Sequence, residues 1–279
     1  MLPERDQNDR KSAKVCVIGL GNVGLPTAYC IHEQGFSLYG YDIDKRKTSG
    51  LNPITASSDW SQIPSCDAYI VCVDTGWKNG KPDMSNIFDV CRKVAMKEKG
   101  HMPLLSIEST VAPGTCRKVA EMFDDVYLVH VPHRFWAKDQ EKHGVLQERV
   151  VGALNHESLI KAKNFYESLG IPLYPVSGLE VAELIKITEN AYRFVQIAFV
   201  EQLRLLCESQ SISFEEIRKG ANTKWNVSLL EARDGIKGEC LPKDIRYLAN
   251  LGAAPLLLGA VETDKKYVEY LEFCKKYRV

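Results

Sequence analysis

The chain has 279 residues, enough for two domains, and its 45% hydrophobic and 26% charged content is ordinary for a globular protein. Lys plus Arg and Asp plus Glu number 36 each, so no global field recruits nucleic acid or an anionic membrane, and any anionic ligand must be captured locally. No apolar stretch is long enough to span a bilayer, and nine cysteines without a Cys-x-x-Cys pair read as reduced thiols, so a cytoplasmic protein is expected.

In chain order, residues 1–12 are polar and charged and are expected to form a loose tail. Apolar, β-rich runs follow at Lys14–Ile18, Ser37–Tyr41, Ala68–Val73, Pro103–Ile107, Val126–Val131 and Arg149–Leu154. Helical patterns fall between them near 22–34, 85–98, 113–123 and 156–169. Short apolar strands alternating with helices predict a parallel sheet covered on both faces. The alternation stops at Pro175. Ser177 and Glu180 have capping-box spacing and open a helical pattern that runs to about Ser209. At ~1.5 Å per residue this helix is about 50 Å long, too long for a crossover between neighbouring strands. Its apolar positions, among them Val195, Phe199 and Leu203, suit a homodimer surface. A second capping box, Ser213 with Glu216, starts another helix, and further helical patterns lie near 241–252 and 256–277. The expected organisation is a tail over 1–12, an α/β domain over 13–176 and an all-helical domain over 177–279.

The first strand runs into Gly19-Leu20-Gly21-Asn22-Val23-Gly24 and then a helix. Gly19 permits a tight turn, Gly21 lets the backbone approach a pyrophosphate, and Gly24 lets the helix pack on the strand with its N-terminus facing the anion. Asp42 ends the second strand about 20 residues on, where an acid that binds the adenosine ribose is expected. The class predicted is α/β, a doubly wound Rossmann-type parallel sheet followed by an all-helical domain. NAD is the expected cofactor, because Asp42 repels a 2′-phosphate; nearby Lys45 and Arg46 blunt that preference.

Five further segments follow in order: Val73-Asp-Thr75 with Gly80-Lys-Pro-Asp-Met-Ser, Glu108-Ser-Thr110-Val-Ala-Pro-Gly114, Val131-Pro-His133-Arg134, Glu183-Leu-Ile-Lys186-Ile-Thr-Glu-Asn190 and Gly238-Glu-Cys240-Leu-Pro-Lys-Asp244. Together they resemble the UDP-glucose/GDP-mannose 6-dehydrogenases, the nucleotide-sugar dehydrogenase family. The resemblance implies two NAD-dependent oxidations of a sugar C6 alcohol to the acid, in polysaccharide biosynthesis, through a thiohemiacetal and a thioester on Cys240. Pro242 fits a first helical turn, so Cys240 is expected at a helix N-terminus beside Lys237 and Lys243, which favours the thiolate. Lys186 and Asn190, four apart on one helix face, would hold an oxyanion and a water. By resemblance Asp244 orients water or Lys186, Thr110 lies near the nicotinamide and Thr75 lines the cofactor loop.

Three departures stand out. His133 takes the place of a family glutamate implicated in thioester hydrolysis, and histidine can also serve as a general base. The loop before Cys240, Asp234-Gly-Ile-Lys-Gly-Glu, has fewer glycines than the family's, so the sugar pocket is expected to be smaller or differently charged. The family's third, C-terminal α/β domain is not in this sequence, and a separate subunit that supplies it is one expectation. His130, His133 and His143, near Asp139 and Glu141, fit no standard metal spacing, and no metal is expected. Two alternatives stay open: a two-domain β-hydroxyacid dehydrogenase, which needs no cysteine, and a non-catalytic NAD-binding partner subunit.

Overall fold

The computed structural model describes residues 12–136 and 139–277; the expected tail falls almost wholly outside them. The chain divides into two compact units, residues 1–185 and 186–279.

In the first unit, β-branched and aromatic runs form an eight-stranded sheet of order β10-β9-β8-β7-β4-β1-β2-β3. The strands are β1 (Lys14–Ile18), β2 (Ser37–Tyr41), β3 (Thr55–Ser57), β4 (Ala68–Val71), β7 (Leu104–Ile107), β8 (Tyr127–His130), β9 (Arg149–Ala153) and β10 (Leu173–Pro175). A separate hairpin pairs β5 (Gly76–Lys78) with β6 (Lys81–Asp83). Helices α1 (Gly24–Glu33), α2 (Lys45–Thr48), α3 (Ser85–Lys97), α4 (Thr115–Ala120), α5 (Gln140–His143) and α6 (His156–Ser168) lie between the strands. Neighbouring strands run parallel except β8 and β9, which are antiparallel. The sheet is therefore mixed rather than wholly parallel. Among the described residues only the four-residue α5 lies between β8 and β9, too little helix for a crossover, so the chain turns back. Val15, Val17, Ile70, Leu104 and Val129 from the strands bury against Ala28 and Ile31 of α1 and Ala162 and Tyr166 of α6. Burying each such aliphatic side chain contributes about 1.5–3 kcal/mol.

The strand order reverses at β1, with β2 on one side and β4 on the other. Residues after β1 and β4 therefore border the crevice at the sheet's carboxyl edge, where doubly wound sheets bind ligands.

Helix α7 (Leu179–Ser209) begins two residues after Ser177, and Glu180 pairs with Arg117 at 2.9 Å. The second unit contains the rest of α7, α8 (Phe214–Ala221), α9 (Cys240–Ala249) and α10 (Pro255–Tyr277). Ser213 caps α8 by accepting from Glu216 N. Ala191, Phe194 and Ala198 of α7 meet Ile245 of α9 and Ala260 of α10, while Val200 and Cys207 meet Phe214, Ala232 and Tyr267. Val195 and Leu203 pack against these clusters, so of the three apolar positions expected at a dimer surface only Phe199 is largely exposed. Among the described residues no helix is long and apolar enough to cross a membrane.

Candidate functional site

Gly19 follows β1 with φ +92, and a Cβ there would meet Cys72 O at 2.5 Å. A Cβ on Gly24 would meet Gly19 O at 1.8 Å, so both positions demand glycine. Gly21 is different: the nearest atom to an added Cβ is Lys47 Nζ at 3.9 Å. The space above Gly21 is open, as a pyrophosphate requires. Val23, at the N-cap of α1, makes no side-chain cap, while in the first turn Leu25 N donates to Gly21 O at 3.1 Å and Pro26 carries no N–H. Asn22 is exposed beside Val23. The cavity is lined by Gly19, Gly21, Asp42, Lys47, Cys72 and Val73, among others. These residues fit a dinucleotide.

Asp42 is buried at the end of β2, and its carboxylate holds the loop as well as facing the cavity. Oδ2 accepts from Leu20 N at 2.8 Å and Oδ1 from Asp44 N at 2.9 Å. The basic neighbours are sorted by geometry. Arg46 forks onto Asp44, whose carboxyl its hydrogen bonds hold near about 2, while Lys47 Nζ lies 3.7 Å from Asp42 Oδ2. Lys47, absent from the sequence-based site, is thus the cation at the cavity, and neither Lys45 nor Arg46 lines it.

The loops after β4 and β7 are stitched together. Thr75 Oγ1 donates to Thr110 O at 2.7 Å, and Ser109 Oγ donates to Val73 O at 2.6 Å. Two of the expected residues, Thr75 and Thr110, are joined by this contact. Downstream, Gly114 N and Cys116 N donate to Glu183 at 2.6 and 2.7 Å, so a carboxylate of α7 serves the start of α4.

Beneath these loops lies a buried charge network that sequence reasoning did not assemble. Glu108, at the end of β7, is ion-paired with His133, and Arg149 Nη1 lies 3.1 Å from Glu108 Oε2. Tyr166 donates to Oε1, and Ser106 Oγ lies 2.7 Å from the Tyr166 hydroxyl. Burial pushes the Glu108 carboxyl up, but the charges of His133 and Arg149, with hydrogen bonds from His133 and Tyr166, outweigh it and hold it at about 2. His133 Nε2 also lies 3.1 Å from Thr27 Oγ1, which links the network to α1. Cys72, Glu108 and His133 form a group that could offer three metal donors. Arg149, within 3.3 Å of His133 and 3.1 Å of Glu108, already supplies the positive charge there. The other histidines do not join it: His130 is buried against Ile107 O at 2.8 Å, and the ring of exposed His143 sits beside Trp136.

The second unit carries the other expected residues. Cys240 is exposed and is the first residue of α9, with Asp244 one turn on. Asp244 is buried, and its Oδ2 accepts from Asn190 Nδ2 of α7 at 2.6 Å. Lys243 Nζ is 3.8 Å from Oδ1. Burial raises the Asp244 carboxyl, against the pull of Lys243, Asn190 and Lys186. Lys186, Asn190 and Asp244 are therefore coupled, and the helix that Cys240 opens supplies the acid. All nine cysteines are free thiols.

Two domain models of one family match the chain in succession. The model for the UDP-glucose/GDP-mannose dehydrogenase family NAD binding domain matches residues 13–57 and 52–170, and that for the central domain matches 180–261. A UDP-N-acetyl-D-mannosamine dehydrogenase of Methanococcus vannielii is 29% identical over 94% of this chain and 67% of its own length. The solved structure of a UDP-D-ManNAc dehydrogenase from Pyrococcus horikoshii superposes with TM-score 0.84 at 25% identity, over 95% of this chain and 72% of that one. The 3-hydroxyisobutyrate dehydrogenase of Mycobacterium tuberculosis shares the fold, with TM-score 0.71 at 15% identity, over 92% of this chain and 94% of that one. The chain spans about 60–67% of the length of the curated relatives it matches. On the glycine cradle, Asp42, the Thr75–Thr110 loops and the Cys240 helix, and on matches to two consecutive domain models, the chain belongs to the UDP-glucose/GDP-mannose dehydrogenase family and has NAD as its cofactor.

Proposed function

We propose that the protein oxidises the C6 alcohol of a nucleotide sugar to the uronic acid in two NAD-dependent steps, with Cys240 as nucleophile. The observation that carries this is the Cys240 helix: an exposed thiol at its first residue, followed one turn later by a buried Asp244 held by Asn190 at 2.6 Å. Bound NAD accepts a hydride in each oxidation. The rest falls to side chains. The Cys240 thiolate bonds to the aldehyde carbon as the carbonyl electron pair moves to oxygen, giving a thiohemiacetal after protonation. The second oxidation leaves a thioester, and water then displaces the thiol and releases the acid. Lys186 and the Asn190 amide stabilise the oxyanion at each tetrahedral stage, and Asp244 orients them. Thr110 and Thr75 line the cofactor loops. His133, ion-paired with Glu108 when protonated, assists the attacking water in its neutral form, as a general base must.

The names of the relatives support a UDP-linked N-acetylhexosamine as substrate class. A domain boundary near residue 176, a cytoplasmic setting and a role in polysaccharide biosynthesis belong to the same reading. A homodimer through α7 is supported by Tyr192, Phe199 and Leu206, exposed at seven-residue spacing along one face. The β-hydroxyacid dehydrogenase alternative draws on the shared fold with 3-hydroxyisobutyrate dehydrogenase, which spans nearly all of both chains. An NADH-release assay over UDP-, GDP- and dTDP-sugars, run beside 3-hydroxyisobutyrate, separates the two. Acid formation from a sugar nucleotide that Cys240→Ser abolishes supports the first; turnover of the hydroxy acid, indifferent to Cys240, supports the second.

A further inference from the structure

Glu201 lies on α7 inside the second unit, wholly buried, and neither of its carboxylate oxygens meets a hydrogen-bond donor. The ionisable group that acts on it is Asp264 of α10. Asp264 in turn accepts from the backbone N–H of Ile236 at 2.7 Å. Ile236 belongs to the segment that leads into Cys240. Two more contacts hold that segment: Arg204 Nη1 donates to Ala232 O at 3.2 Å, and the Tyr267 hydroxyl donates to Arg233 O at 2.9 Å.

A buried carboxylate without a donor and a half-buried one that acts on it are strongly disfavoured when both are ionised. A carboxylic acid beside a carboxylate is a satisfied pair, because the acid O–H can donate to its neighbour. We propose that Glu201 and Asp264 share one proton, and that this proton keeps the segment 232–239, and with it Cys240, in place. Both are positioning residues, acting through the backbone of Ile236. Their bearing on Cys240 rests on the dehydrogenase reading; the shared proton and the held segment do not.

The charge surroundings agree. Burial and the Asp264 charge push the Glu201 carboxyl up to about 8, and burial raises Asp264 as well, against the Ile236 N–H. The other charged or titratable groups nearby are Arg204 of α7, Tyr267 of α10 and Asp234 of the segment itself. Arg204 is turned to Tyr267 and Ala232 O, and Asp234 pairs with Lys237 at 3.8 Å, so neither neutralises Glu201. When the proton leaves, Glu201 repels Asp264, and Asp264 is the acceptor that Ile236 depends on.

Amide hydrogen exchange of the segment containing Ile236, corrected for intrinsic rate and followed from pH 5 to pH 9 on the full chain, tests this. In the closed form Glu201 titrates at about 8 rather than its ordinary 4.5, so the closed form binds the extra proton between those values. Protection should therefore fall as pH rises through that window, approaching roughly tenfold per pH unit, and level off above it. Glu201→Gln keeps a neutral donor for Asp264 and should show protection independent of pH. In Asp264→Asn the oxygen acceptor for Ile236 is kept but the charge is gone, so the fall should end at a lower pH. Flat protection in the wild type, or the same slope in Glu201→Gln, overturns the proposal. If exchange behaves as expected while Cys240→Ser still forms acid, the thioester mechanism falls and the shared proton stands.

Discussion

Arg149 Nη1 lies 3.1 Å from Glu108 Oε2, and neither side chain reaches solvent. The pair fastens the start of β9 to the end of β7 and, through His133 and Thr27, to the helix that opens the cofactor crevice. Breaking a buried ion pair by removing one partner leaves the other charge uncompensated, which typically costs about 3–5 kcal/mol. Glu108→Gln is expected to destabilise the first unit by about that amount, read as a lower denaturant midpoint with unchanged slope.

The same carboxyl sets the acid limb of stability. Glu108 is held at about 2 against an ordinary 4.5, so its contribution is complete above 4.5 and is lost as pH falls towards 2. For one buried group this amounts to at most about 3 kcal/mol. Wild-type stability should drop through that window, and Glu108→Gln should flatten the drop. Parallel curves for the two proteins would remove Glu108 as the cause.

Asp42 should set cofactor choice and Lys47 cofactor affinity. Asp42→Asn weakens the ribose acceptor and disturbs one of two loop hydrogen bonds, so NAD binding should fall about 10- to 100-fold and the preference over NADP should shrink. Lys47 is part exposed, so Lys47→Ala should weaken NAD by no more than about fivefold, less at high salt. Titration of both cofactors against each variant checks this. Unchanged NAD affinity in Asp42→Asn would take Asp42 out of the site.

Cys240→Ser should spare NAD binding and abolish acid formation, because a serine alkoxide is scarcely populated at neutral pH. Lys186→Ala should lose about 10²–10³ in rate with NAD affinity intact. Full wild-type rates in Cys240→Ser would refute the thioester route.

Phe199→Asp, alone and with Tyr192→Asp, places charge on the exposed stripe of α7. Light scattering of the wild type should give a dimer at micromolar concentration, and the substituted chains a monomer. A wild-type monomer would overturn the dimer proposal.

The backbone of this fold was readable from local chemistry. β1 and β2 begin and end where their apolar runs do, and the Gly19–Gly24 spacing locates the cofactor turn, because turn geometry is a property of adjacent residues. The short strands Thr55–Ser57 and Leu173–Pro175 carry too few residues for a periodic signal. The hairpin around Asn79-Gly80 did have a signal, since that dipeptide favours the positive φ values of 52 and 73 found there.

What sequence order did not decide is which charges meet. Lys45, Arg46 and Lys47 are equivalent in sequence, but only the fold turns Arg46 onto Asp44 and Lys47 towards Asp42. Glu108, His133, Arg149 and Tyr166 are separated by up to 58 residues, and Glu201 is 63 from Asp264 by number. The sequence by itself determined the dinucleotide cradle and the Cys240 motif proposed to carry the nucleophile, both made by neighbours along the chain. The tertiary structure alone decided which carboxyls are pushed up and which are held down, because that depends on burial and on partners brought from distant strands and helices.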